Sequence, residues 1–274
     1  MESVDYDIDR TKEIIDKKCS SDFRYNNIFF QSNEHLNAIL DNIDINDKNC
    51  LTVLASGDQA FHLYNRGAKS VDLFDINKLS IYYFYLRVWT INYYDSFYPR
   101  DFINKNFVLS VLKRVKPKTE DEQIAYDYWK KFAYYFEYYP KALLETLFIK
   151  HGTFFNNEII DLKNIKSFLD TGNIDFKNID ISSDNISIDK KYDIIYVSNI
   201  IDYLSYIYVI WTYRDNLYKL LSDDGIIISS YVLSCERKKD EKIAFSRKFN
   251  FEELVDSESN EKVGYVYTKK FGDF

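Results

Sequence analysis

The sequence is poor in the residues that build metal centres and disulfide frameworks. Its three cysteines, Cys19, Cys50 and Cys235, lie far apart with no CxxC spacing. An odd, scattered set of this kind reads as reduced thiols in a cytoplasmic protein. The three histidines, His35, His62 and His151, include no i, i+4 pair, which argues against a zinc site and leaves no metal ligand set to assign. There is no nucleophile elbow, metal motif or P-loop. Basic residues are outnumbered, with 36 Lys and Arg against 43 Asp and Glu and a net charge of −7. That balance disfavours a nucleic-acid partner, because grip on phosphate backbones rests on clustered Lys and Arg. The short basic stretches at 113–118 and 237–242 read as solvated surface. Proline and methionine are scarce (three and one), while Tyr (25) and Phe (21) abound. This looks like a compositional bias, and it leaves any single tyrosine uninformative. The N-terminal MESVDYDIDR is polar and acidic, unlike a signal peptide. The apolar run 194–213 has the length of a membrane span, but Asn199 and Asp202 lie inside it. It reads better as a buried strand followed by an amphipathic helix, so no integral membrane segment is expected.

What is present is ample core-forming material: 274 residues, 46% hydrophobic, enough for a single domain spanning 1–274. Residues 1–49 read as a helical lead-in. The nearly all-apolar stretch Cys50 to Ala55 reads as a parallel strand covered on both faces. A turn at Ser56-Gly57 follows, then a helix from Asp58 to Arg66 with Gly67 at its left-handed cap position. A second strand, Ser70 to Phe74, ends on Asp75, which completes a compact βαβ unit. Helix is expected over Asn77 to Tyr94 and over most of 101–170. About ninety residues thus separate the second strand from the next, far more than one crossover needs. Residues 95–170 are therefore read as an inserted helical cap. Strands are expected again at 173–181, 192–200, 226–234 and 262–270, with a helix from about Tyr203 to Leu221. The alternation implies a mostly parallel sheet with an antiparallel edge.

In such a sheet a ligand sits at the carboxyl ends of the strands, so the turn at Gly57 and the acid closing the second strand draw attention. Asp75 falls 18 residues after Gly57, close to the spacing at which an acid accepts hydrogen bonds from ribose hydroxyls. Asp58 sits where a dinucleotide would need room for pyrophosphate. A phosphate-free, positively charged nucleoside such as S-adenosylmethionine would instead welcome it. The structural alternatives are a helix N-cap for Asp58 and a turn acid for Asp75.

The stretch VLASGDQAFHLYNRGAKSVDLFDIN, residues 53–77, resembles a family of class I methyltransferase-fold proteins that includes S-adenosylmethionine:diacylglycerol 3-amino-3-carboxypropyl transferases. Its Ser/Gly-Gly-Asp-x-Ala turn is matched by Ser56-Gly57-Asp58-Gln59-Ala60, its helix end by Gly67-Ala68 and its second strand end by Asp75-Ile76-Asn77. FFQSNE (29–34) is similar to a Gln-x-Asn-Glu segment upstream, and Asp180 and YDIIYVSNIIDYL match later motifs. Ser56 stands where a glycine is usual. The resemblance implies a Rossmann-like α/β fold with N-terminal helices, and S-adenosylmethionine as cofactor. Gly57 would admit the methionine part, Asp58 would hold its ammonium, Asp75 the ribose and Asn77 the adenosine edge. Asp180 would lie near the adenine amino group, and Asn199 and Asp202 would face the transferred group and the acceptor. The expected activity is methyl transfer to a small or lipid-like acceptor. The alternatives are 3-amino-3-carboxypropyl transfer and a non-catalytic protein that binds the cofactor.

Overall fold

The computed structural model describes residues 4–17, 28–29, 32, 34–94, 105–137, 148–149, 161–171, 173–184, 186–204, 206–230 and 235–270. Seven strands form one sheet: β1 (Asn49–Val53), β2 (Ser70–Asp75), β3 (Asn173–Asn178), β4 (Tyr192–Ser198), β5 (Leu221–Ser230), β6 (Phe249–Val255) and β7 (Lys262–Lys269). Their order across the sheet is β3-β2-β1-β4-β5-β7-β6. The first five run parallel, and β7 pairs antiparallel with both β5 and β6. This is the doubly wound, mostly parallel class I methyltransferase arrangement with its antiparallel edge, as expected. The order in which strands are added reverses between β1 and β4, so the crevice of this sheet opens beyond the carboxyl ends of those two strands.

Side-chain alternation divides the core in two. Cys50 and Leu54 at β1, Val71 and Leu73 of β2, and Ile194 and Tyr196 of β4 belong to one cluster. Leu51, Phe74, Ile195 and Val197 belong to the other. A period of two with both sets buried is the mark of a sheet covered on each face. The first face carries α1 (Val4–Lys17), α2 (Leu36–Leu40), α3 (Asp58–Asn65), α4 (Lys78–Tyr94), α5 (Lys105–Leu112), α6 (Glu120–Phe132) and α7 (Leu162–Thr171). The second carries α8 (Ile207–Leu220) and α9 (Cys235–Phe245). Among the described residues no helix is long and apolar enough to cross a membrane.

Helix α3 stops where its sequence says it should. Gly67 takes φ 82°, its N–H bonds the Tyr64 carbonyl at 3.1 Å, and the Ala68 N–H bonds the Leu63 carbonyl at 3.2 Å. That pair of bonds is the Schellman cap. The described helices of the insertion pack sideways: α6 lies against α4 and α1, and α7 against α3. Trp129 donates its indole N–H to the Tyr82 carbonyl at 2.6 Å, and Tyr128 and Thr11 share a hydrogen bond of 3.0 Å.

Several boundaries differ from expectation. Strand β1 ends at Val53 rather than Ala55, because Ala55 turns to φ 43° and leaves the sheet. Helix α8 begins at Ile207, after a 3-10 turn over Ile200–Tyr203. Strand β5 begins at Leu221, so it takes in the Asp223-Asp224-Gly225 stretch expected as a turn; it runs to Ser230, and the expected strand residues 231–234 lie outside the described residues. Strand β6 was not expected at all.

Candidate functional site

A cavity of about 430 Å³ opens at the carboxyl ends of β1, β2 and β4. Its wall includes Ala55 and Ser56 after β1, Asp75 to Asn77 after β2, Asp180 after β3, and Ser198 and Asn199 at the end of β4. Among the described residues, the charged side chains in the wall are Asp75 and Asp180, with no Lys, Arg or His. Two wall residues hold strained backbone, Ala55 at φ 43° and Ser198 at φ 55°, a placement that recurs where a site is held in a fixed shape. No described residue of 95–170 lines the cavity. The rest of the expected cap, 95–104, 138–147 and 150–160, lies outside the described residues.

The turn after β1 departs from the roles that the resemblance implies for two of its residues. Gly57 does adopt φ 88° and precedes α3. A Cβ there would lie 2.8 Å from the Phe84 ring and 3.5 Å from Phe61. The missing side chain thus makes room for α4 on the core side, and Gly57 is not among the lining residues.

Asp58 is also turned inward. Its Oδ1 accepts from Arg87 Nη2 at 2.7 Å, and its Oδ2 accepts from the Ser32 N–H at 2.6 Å and Ser56 Oγ at 2.8 Å. Arg87, 2% exposed, also donates to the Ser56 carbonyl at 2.6 Å and lies over the Phe61 ring. Burial pushes the Asp58 carboxyl up. The Arg87 guanidinium and the two hydrogen bonds more than offset that and hold it below the usual carboxylate range. Its charge is thus neutralised inside the protein and is not presented to a ligand's ammonium.

Asp75 is placed as expected of an acid at the end of β2. It is buried and lines the cavity, and it has no basic partner among the described residues. Its Oδ2 accepts from the Ala55 N–H at 2.9 Å and its Oδ1 from the Asn77 N–H at 2.8 Å. Burial raises its carboxyl from 3.8 to about 6 against the pull of these bonds. Asn77 caps α4, accepting from the Leu79 N–H at 3.1 Å, and lines the cavity beside Asp75. Asp180 is in the wall, exposed, and accepts from the Ser182 N–H at 2.9 Å and Ser182 Oγ at 2.6 Å.

Asn199 lines the cavity at the end of β4, in contact with Ser198 Oγ at 3.2 Å. Asp202 is not among the lining residues, although Ile200, Tyr203 and Leu204 around it are. Its charge is felt by the buried Glu241 of α9. Of the two residues expected at the acceptor, the wall thus includes Asn199 and not Asp202. At the mouth, the exposed rings of Tyr206 and Tyr208 stack with centroids 5.7 Å apart. The sequence assigns no role to Gln59, which the fold brings to this wall, or to Glu34, which lies behind it against Gln59 and Ser198. Both fall in quoted motif segments, and their spacing to each other carried no signal.

No family model matches the chain, and no curated protein does. It is similar in structure to a TehB-like S-adenosylmethionine-dependent methyltransferase from Corynebacterium glutamicum, with TM-score 0.45, 13% identity, and coverage of 88% of this chain and 90% of that one. It is also similar to the N-methyltransferase NodS from Bradyrhizobium japonicum in complex with S-adenosyl-L-homocysteine, with TM-score 0.44, 11% identity, and coverage of 95% and 100%. A third is a methyltransferase of Methanococcus maripaludis described as putative and S-adenosyl-L-methionine-dependent, with TM-score 0.45, 11% identity, and coverage of 87% and 84%.

Proposed function

We propose that the chain is an S-adenosylmethionine-dependent transferase that moves a methyl group to a small or lipid-like acceptor. The observation that carries this reading is Asp75, a buried acid in a cavity wall with no basic side chain among its described residues. An acid there suits ribose hydroxyls, which donate to it. A wall without Lys or Arg suits a ligand without phosphate, and negative charge suits one that carries positive groups. S-adenosylmethionine meets all three conditions.

When bound, the cofactor supplies a carbon made electrophilic by its sulfonium. The work left to the protein is to hold and orient, because displacement at that carbon needs alignment more than a strong acid or base. Asp75 would take the ribose, steadied by the N–H groups of Ala55 and Asn77. Asn77 and Asp180 would shape the adenosine edge, while Ser56 would flank the turn. Asn199 would face the acceptor side. The stacked Tyr206 and Tyr208 at the mouth favour an apolar or aromatic acceptor face.

Methyl transfer takes precedence over aminocarboxypropyl transfer because it is the commoner reaction of this sheet order, which is an argument from fold analogy. The nucleoside product separates them. Incubation with S-adenosylmethionine and an acceptor pool, read by mass spectrometry against a protein-free control, is expected to yield S-adenosylhomocysteine. Methylthioadenosine above the control would instead identify aminocarboxypropyl transfer. Binding without either product would make the protein a non-catalytic binder.

A further inference from the structure

Glu34, in the segment leading into α2, is 8% exposed and sits at the meeting point of four parts of the chain. Ser198 Oγ at the end of β4 donates to its Oε1 at 2.5 Å, and Ser230 Oγ at the end of β5 donates to the same atom. Tyr196 OH donates to Oε2 at 3.0 Å and Gln59 Nε2 at 2.8 Å. Both of its oxygens thus accept from neutral donors, Ser32 Oγ at 3.4 Å among them. Three other buried acids are neutralised by a base: Asp58 by Arg87 at 2.7 Å, Asp72 by Lys190 at 2.9 Å and Asp7 by Lys78 at 3.0 Å. Glu34 has hydrogen bonds and, among the described residues, no cation.

A second observation lies in the same wall. The carboxylate fixes the Gln59 amide with its NH2 toward Glu34, because a carboxylate only accepts. The amide oxygen, Oε1, is then left buried with no hydrogen-bond partner, in a side chain that is 2% exposed and lines the cavity. Among the described residues, this side of the cavity thus carries an acid with no cation beside it and an amide oxygen with no donor. Hydrogen bonds from neutral groups spread a buried charge but do not cancel it, so its field reaches into the cavity. The lining residues Ser198 and Gln59 stand directly against it.

We propose that Glu34 is the counter-charge for the positive groups of the ligand, acting through the wall formed by Ser198 and Gln59, so that affinity rises with the number of positive charges the ligand brings. This rests on the reading of the cavity as an S-adenosylmethionine site. It gives Glu34 the electrostatic task that the sequence suggested for Asp58. Glu34 is a charge-selecting residue, and nothing in the proposal requires it to touch the reacting atoms.

Three ligands share an adenosine half and differ in positive groups: S-adenosylmethionine has two, S-adenosylhomocysteine one and adenosine none. Titration calorimetry of each against wild type and Glu34→Gln reads the effect. The expected loss in Glu34→Gln is greatest for S-adenosylmethionine, smaller for S-adenosylhomocysteine and within twofold for adenosine. The step is roughly tenfold per charge, the size of one unit charge acting over about 10 Å at an effective dielectric constant of about 20. Equal losses for all three ligands would mean a merely structural role and overturn the proposal, as would unchanged affinities. Should Glu34→Gln not fold, Gln59→Lys supplies an internal cation beside Glu34 and is expected to give the same ordering of losses; absence of that ordering overturns the proposal as well. If wild type binds none of the three, it is the reading of the cavity that fails, a result distinct from the others.

Discussion

Replacing Asp58 by Asn tests whether its charge serves the fold or the ligand. The structure sets the magnitude. The substitution leaves the Arg87 guanidinium, 2% exposed and 2.7 Å from its lost partner, as an unbalanced buried charge. Breaking a buried pair from one side costs about 3–5 kcal/mol, whereas replacing both partners by apolar or neutral groups of similar volume costs far less. Asp58→Asn and Arg87→Met are thus each expected to lose about 3–5 kcal/mol in urea unfolding at pH 7. The double variant should lose at least about 2 kcal/mol less than their sum. The pH dependence has a definite sign. Asp58 is depressed in the folded state, so its contribution is present above the unfolded carboxylate range and is lost as pH falls through the folded value. S-adenosylhomocysteine affinity per folded molecule should change by less than about tenfold, because the carboxylate is already occupied. Single variants within about 1 kcal/mol of wild type, with an additive double, would refute the buried-pair account.

The Asp75 carboxyl, raised from 3.8 to about 6 by burial, costs the ligand-free protein roughly 3 kcal/mol above pH 6. Ligand-free stability relative to Asp75→Ala should therefore fall between about pH 4 and 6. Adenosine affinity should rise across pH 5 to 7 and then level, since the ionised acid is the better acceptor, as calorimetry at several pH values would read. Glu241, buried in α9 and raised from 4.5 to about 7, makes Glu241→Gln more stable than wild type by up to roughly 3 kcal/mol at pH 9 and little different at pH 5 in urea titrations. Gly57→Ala must place a Cβ 2.8 Å from Phe84 at φ 88°, and a loss of about 2–4 kcal/mol is expected from thermal or urea unfolding.

The parts of the fold legible in the sequence are those whose physics is local. Cys50 to Val53 reads as strand because both its faces are apolar. Gly67 marks the helix end because a left-handed cap wants glycine, and Asp75 follows from the register of the strand it closes. Strand β6 was illegible because it lies at the sheet's edge with Asn250 to Glu253 exposed, so charges that protect an edge hide its alternation. The site was legible only where it is made of turns. Asp58 looked available because the base that neutralises it, Arg87, arrives from the next helix, α4, 29 residues later. Glu34 meets Ser198 and Ser230 across 164 and 196 residues, and no spacing rule links segments that far apart. The acid beside the glycine, Asp58, is thus one that the fold pairs with a base.

The account stands most directly on Asp75. Calorimetric titration of S-adenosylhomocysteine into wild type and Asp75→Ala at pH 7.5 tests it. Binding by wild type that weakens about ten- to a hundredfold in the variant, the loss of a charged hydrogen-bond acceptor, is the predicted result. No binding by wild type, or equal binding by the two proteins, would contradict it.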